Sequence, residues 1–119
     1  MGHYVDGFVI PIKKRNLKAY RKMALLGCKV WMEHGALSYY ECVGEDLKIP
    51  WGLTFPRMCK LKPDETAIFS FILYKSKAHR NKVTSAVMKD PRMNPESVKI
   101  PYDMKRLASG GFSVIVQSK

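Results

Sequence analysis

The sequence predicts an α+β domain of ferredoxin-like type, a βαββαβ chain whose four strands make one antiparallel sheet. Three observations predict it. Some segments alternate or run apolar as strands do, others repeat at helical spacing, and their order along the chain interleaves the two kinds. Two helices crossing between strands of one antiparallel sheet fall on the same face of it. At 119 residues the chain is the size of a single domain, residues 1–119. That length buries enough surface for one core without disulfide or metal staples.

Residues 4–11 read as the first strand, with Val5 and Val9 on one side, Tyr4, Phe8 and Ile10 on the other, and Pro11 as its end. Asn16 stands where a helix N-cap belongs and Gly35 where a C-terminal stop belongs, which predicts a helix running to about His34. Leu17, Tyr20, Ala24, Cys28 and Trp31 share its inner face; Lys14, Lys18, Arg21, Lys22 and Lys29 fall opposite. Residues 36–43 are the second strand, with Tyr39 and Tyr40. Gly44, Pro50, Gly52 and Pro56 make residues 44–56 a long connection, with room for a short turn of helix after it. Pro63-Asp64 turns the chain into residues 65–74, the strongest strand of all. Ser76 caps the second helix, whose inner stripe is His79, Val83, Ala86 and Val87. It ends at Asp90-Pro91, because the residue before a proline is pushed out of helical geometry. Beyond a loop through Pro95 and Pro101, Gly110-Gly111 precedes a last strand at residues 112–117.

Charge is the unusual bulk property: 21 Lys and Arg against 10 Asp and Glu give a net +11. Such a balance attracts nucleic acid or anionic surfaces through counterion release, or it keeps the protein soluble. The apolar fraction of 46% excludes a disordered chain. Residues 67–74, the longest apolar run, are too short to span a membrane. Met1 to Asp6 lack the basic region and apolar core of a signal peptide, so a cytoplasmic protein is expected. Cys28, Cys42 and Cys59 are odd in number with no Cys-x-x-Cys pair, and His3, His34 and His79 lack ligand spacing. Reduced thiols acting as small hydrophobes fit this pattern; nothing in it calls for a metal or a cofactor.

A sheet with helices on one face and water on the other should alternate apolar and polar residues. Residues 67–74 do not. Ala67, Phe69, Phe71 and Leu73 take one side, Ile68, Ile72 and Tyr74 the other. The last strand repeats this, with Phe112, Val114 and Val116 opposite Ile115. A second apolar face of several hundred Å² needs a cover. A two-fold copy of the same sheet, making a homodimer, supplies one. The chain's own loop, residues 44–61, is the other candidate.

Acids on apolar strands mark the candidate site. Asp6 lies in the first strand beside Gly7, and Glu41 in the second beside Cys42. Strands are depleted in Asp, and a buried carboxylate needs a partner or a shifted pKa. Each acid reads either as a general base or ligand anchor, or as a carboxylate paired with Arg or with backbone donors. Close together on one face, the two would divide acid and base roles. Asp90-Pro91-Arg92-Met93 and Pro101-Tyr102-Asp103-Met104-Lys105-Arg106 are charged, proline-fixed loops that build either a binding site or tethers such as Arg92 or Arg106 with Asp103. The leading reading is a small-molecule pocket with Asp6, Glu41 and Asp103 as candidate catalytic acids and Arg80, Asp90, Arg92, Lys105 and Arg106 as ligand contacts. Gly110-Gly111-Phe112 precedes no helix, so a phosphate cradle is excluded on context.

The βαββαβ order is shared with RNA-binding modules that stack bases on aromatic side chains of the two central strands. Tyr4, Phe8, Phe69 and Phe71 are aromatic there, but the basic–Gly–aromatic run such modules require is missing. The basic helices are left with weak, non-specific attraction to nucleic acid or a membrane surface. A structural or accessory protein without a pocket is the third reading.

Tyr4-Val5-Asp6-Gly7-Phe8-Val9, Gly35-Ala36-Leu37 and Glu41-Cys42 stand in this order with Phe69-Ser70, Tyr74-Lys75-Ser76-Lys77, Arg80 and Met88. Asp90-Pro91-Arg92-Met93, Pro101-Tyr102-Asp103, Lys105-Arg106 and Gly110-Gly111-Phe112 follow. Over essentially the whole chain this combination resembles the YbaA-like proteins, a family without an established activity. The resemblance implies the dimeric α/β-barrel superfamily. Its other families include monooxygenases, isomerases and haem-degrading enzymes that work between sheet and helices, and carrying their chemistry across is an analogy of fold. The chain departs from the family pattern at Asn81, where an acid is usual, and at Met104, where Gly is usual. The first weakens an ion pair centred on Arg80; the second alters the loop that presents Asp103 and Lys105.

Overall fold

A computed structural model describes residues 2–119; Met1, the start of the N-terminal reading above, lies outside them. The elements follow the expected order: β1 (Tyr4–Lys13), α1 (Leu17–Glu33), β2 (Ser38–Val43), α2 (Phe55–Cys59), β3 (Glu65–Tyr74), α3 (Lys77–Lys89) and β4 (Ala108–Ser113). The four strands form one antiparallel sheet in the order β2-β3-β1-β4, which is the ferredoxin-like arrangement. No helix among the described residues is long and apolar enough to cross a membrane.

Register decides which side chains meet the helices. Tyr4, Asp6, Phe8, Ile10 and Ile12 of β1 align with Tyr74, Ile72, Ser70, Ile68 and Thr66 of β3, and Tyr39, Glu41 and Val43 of β2 lie beside the same β3 residues. These share one face, because successive strand residues point to opposite sides. On it, Val30, Ile72, Tyr74, Val83 and Val87 form one core cluster, and Ile10, Ile12, Tyr20, Ala24 and Ile68 form a second. Phe8 packs against both and joins them.

The other face is apolar too, as the two-sided pattern of β3 predicts. Val5 and Val9 of β1, Tyr40 and Cys42 of β2, Phe69, Phe71 and Leu73 of β3, and Ala108 and Phe112 of β4 lie there, and the charged pair Lys13 and Glu65 stands at the far end of the same face. The loop after β2 covers only one end. Ala67 is buried, and α2 packs on β3 near it. Tyr40, Phe69 and Phe112 stay 54%, 49% and 60% exposed, and the loop's own Trp51 is 75% exposed. The chain therefore does not hide this face itself.

Three details differ from the sequence reading, two boundaries and one cap. β1 runs through Pro11 to Lys13. Lys14 N–H bonds Asp64 O, so by alternation the missing N–H of Pro11 points away from β3, on the side where β4 has already stopped at Ala108. At α1, Asn16 occupies the N-cap position, but its side chain donates to Pro101 O at 3.1 Å and leaves the helix end uncapped. β4 lies earlier than expected, and Gly110-Gly111 sits inside it. A Cβ on Gly111 would come within 2.8 Å of the Tyr4 ring, so the glycine permits close approach between strands where the sequence suggested a turn. One further rung joins Val114 N–H to His3 O, after which Ile115 and Val116 are exposed.

The cap of α3 is as expected: the Ser76 hydroxyl accepts the His79 N–H at 3.0 Å. Gly35 follows α1 with φ +112°, a backbone conformation glycine adopts without strain.

Candidate functional site

Between α1 and the sheet lie two chambers of about 580 Å³ and 230 Å³. Tyr20, Ala24, Tyr39 and Glu41 line both and form their common wall. Glu41 points inward because β2 alternates, and Tyr39, two residues earlier, points the same way. Tyr20 comes from the inner face of α1. The Tyr20 hydroxyl donates to Glu41 Oε1 at 2.6 Å and the Tyr39 hydroxyl to Oε2 at 2.7 Å. Gly27 makes the second contact feasible: a Cβ there would sit 2.8 Å from the Tyr39 oxygen.

Burial, then the hydrogen bond to Glu41, pushes the Tyr20 phenol far above its ordinary range. Burial, then the charge of Glu41, does the same to Tyr39. Tyr102, whose ring centroid lies 5.9 Å from that of Tyr20, is raised by burial and by Glu41 as well. The phenols are held protonated, as donors. The site is thus a carboxylate acceptor fixed by two hydroxyls in an apolar wall, suited to gripping a polar group on an otherwise apolar molecule.

The other sequence candidates occupy separate places. Asp6 is buried on the helix-facing side of β1, where Arg80 Nη1 donates to its Oδ1 at 3.0 Å. Arg80 also lies over the Tyr4 ring, 5.0 Å from its centroid. So Arg80 keeps its ion pair although Asn81 follows it. Asp6 and Glu41 share a face but lie on β1 and β2 with β3 between them, at least roughly 10 Å apart. They do not form a dyad.

Asp90 accepts from the backbone and guanidinium of Arg92 and from His34 Nε2, and Arg92 reaches Glu33 at the end of α1. The bonds from Arg92, then that from His34, hold the Asp90 carboxyl well below the usual carboxylate range. Asp103 caps a short 3-10 turn by accepting the Lys105 N–H, and Lys105 itself is exposed. Arg106 pairs with Glu65, at 2.7 Å, and with the carbonyls of Cys59 and Lys60. Neither Arg92 nor Arg106 pairs with Asp103, because each has a nearer buried acid. Both loops still reach the cavity through apolar neighbours: Met93 follows Arg92, Tyr102 precedes Asp103, and Leu107 follows Arg106, and all three line the smaller chamber. The ion pairs hold loops whose next residues form the wall.

Sequence reasoning missed the tyrosines around Glu41. Tyr20 read as helix core, and only the two-residue spacing of Tyr39 and Glu41 hinted at a shared face. The aromatic platform divides: Tyr4 and Phe8 face the helices, Phe69 and Phe71 the open side. Lys14, just before α1, and Lys18, Arg21, Lys22 and Lys29 on it are exposed, as expected.

A family model described as a protein of unknown function, DUF1428, matches residues 3–104. The chain is 36% identical over 113 residues to the uncharacterised protein YbaA of Escherichia coli K12, across 95% of this chain and 97% of that protein. It is equally similar to YbaA of Shigella flexneri. Among solved structures it is similar to a dimeric ferredoxin-like protein from an uncultured marine organism. That match has a TM-score of 0.63 and 11% identity, covering 99% of this chain and 100% of the other, a likeness of fold.

Two outcomes follow from these pairs. Replacing Arg80→Ala strands the buried Asp6 carboxylate, and chemical denaturation should show a loss of about 3–5 kcal/mol; a loss under about 1 kcal/mol would contradict a buried pair. The Glu65 carboxyl is lowered from 4.5 to about 2, chiefly by the Arg106 hydrogen bond. A lowered carboxyl stabilises the fold above its unfolded value and loses that contribution as pH falls. The stability gap between the wild type and Arg106→Gln should therefore be full above about pH 4.5 and close towards about pH 2. A gap independent of pH would remove the ion pair from the account.

Proposed function

We propose, for a chain that belongs to the DUF1428 family of proteins of unknown function, that the cavity under α1 binds a small organic molecule through Glu41. One observation carries this reading: a carboxylate held by two tyrosyl hydroxyls in the wall of an apolar cavity of about 580 Å³. Ligand sites have this build, mostly apolar with a few convergent polar groups, and this size. Buried polar side chains in a cavity are costly unless they specify something, a ligand or a unique packing. Three free cysteines suit a reducing compartment, so we take the protein to be cytoplasmic.

A ligand library read by thermal shift tests the pocket. A compound supplied at ten times its dissociation constant stabilises by about 1.4 kcal/mol, a rise of roughly 5 °C for a domain of this size. Cys28 is half-buried in the lining of the larger chamber. Cys28→Trp narrows that chamber and should weaken the shift of compounds bound there; hits whose shift is unaffected bind elsewhere and would refute the site.

A second reading concerns assembly. We propose a two-fold homodimer closed by the open sheet face. The charge-free patch containing Tyr40, Phe69, Phe71 and Phe112 supports it, since monomers rarely leave such a surface bare. That the solved neighbour is itself a dimeric ferredoxin-like protein agrees with it. Light scattering on the wild type should give twice the protomer mass, and Phe69→Glu, an exposed position in the protomer, should give a folded single copy. A monomeric wild type would end the dimer reading.

A further inference from the structure

We infer that the guest of the larger chamber is an amphiphilic organic anion carrying a hydrogen-bond donor at its far end, an inference that rests on the cavity being a binding site. The larger chamber has three charged side chains in its lining, Glu41, Lys18 and Arg21. Lys18 and Arg21 stand three residues apart on α1, so they project side by side. Both are exposed, and among the described residues neither forms a salt bridge or a hydrogen bond. Leu25 and Val43, each more than half exposed, lie with them on the lining, so the solvent-facing rim is apolar side chain interleaved with two unpaired cations. The buried part of the wall is Ala24, Ile68 and Tyr20, with Tyr39 half-buried beside them.

Charge then orients the guest. A carboxylate or similar anion placed beside Glu41 would put like charges together away from water, which costs several kcal/mol. The same anion at the rim meets two cations without a competing acid. At the inner end, each Glu41 oxygen accepts one phenol and keeps a second lone pair. That site takes a hydroxyl or N–H from the guest. The result is a molecule with its anionic head outward, an apolar body between α1 and β2, and a donor inward.

Three matched probes on the isotope-labelled chain test this: para-hydroxyphenylpropanoate, its methyl ether para-methoxyphenylpropanoate, and the neutral para-hydroxyphenylpropanamide. The hydroxy acid should perturb the NMR signals of Ala24 and Ile68 and bind best. Loss of the donor in the ether should weaken binding about tenfold, the scale of a hydrogen bond to a charged group. The Lys18→Gln/Arg21→Gln double variant should weaken the hydroxy acid by about five- to tenfold, as two solvent-facing charge contacts do, and leave the amide unchanged. Equal binding of acid and amide, or equal weakening of both by the double variant, overturns the inference while the pocket itself stands. Silence from all three probes where neutral library compounds still perturb Ala24 overturns it equally. Silence from probes and library together removes the pocket as well.

Discussion

The whole architecture depends on one constraint, the two-residue pleat of a central strand that is apolar on both sides. β3 is hydrogen-bonded on both edges, to β2 and to β1, so its register positions every neighbour. Its even-numbered residues, Ile68, Ile72 and Tyr74 among them, fix what lies under the helices. Its odd-numbered residues Phe69, Phe71 and Leu73 make the open face. A slip by one residue would exchange the two sets and carry Glu41 and Asp6, through their pairing with the same strand, away from the helices. The candidate cavity and the bare face are therefore two products of one alternation.

The ionic groups serve that architecture at its weak points, where loops must be held against a sheet. Asp90 with Arg92 and His34 ties the end of α3 to the end of α1; Glu65 with Arg106 ties the segment before β4 to the start of β3 and the end of α2. Each clamp leaves an adjacent apolar side chain, Met93 on one side and Tyr102 and Leu107 on the other, facing the smaller chamber. Charged loop residues here are positioning devices, and their neighbours are the surface a guest would meet. The division explains why acids on loops and strands drew attention in the sequence while only Glu41 among them lines a chamber of the α1 cavity.

Fold was legible because its signals are local. Ser76, Asp90-Pro91 and Pro63-Asp64 act within a few residues, and the bounds they set agree with β3 and α3. The position of β4 is not legible because Gly110-Gly111 has two physical meanings, a turn or a close approach, and only the Tyr4 ring across the sheet selects the second. Pro11 marks a strand end in the sequence for a similar reason: whether its missing N–H matters depends on how far β4 extends. The site was less legible because its geometry is tertiary. Tyr20 and Glu41 are 21 residues apart and meet only once α1 lies on β2. Asp6 and Glu41 looked equivalent as acids on apolar strands, yet Asp6 finds an arginine and Glu41 finds two phenols.

The net charge of +11 also acquires a location that bears on assembly. The lysines and arginines of α1 that the helical period sets outward are exposed on the side away from the open face. A helix is about 10 Å thick and packs about 10 Å from a sheet, so these charges stand roughly 15–20 Å from the open surface. At physiological ionic strength the screening length is about 8 Å. Two copies stacking the apolar patch around Phe69 and Phe112 would thus bring apolar surface together while the helix charges remain screened from one another. The same distribution leaves Lys18 and Arg21 at the rim of the cavity rather than at the interface. A dimer of this kind would therefore keep both cavity mouths open to solvent, and the proposed binding and assembly would use opposite faces of one sheet without competing.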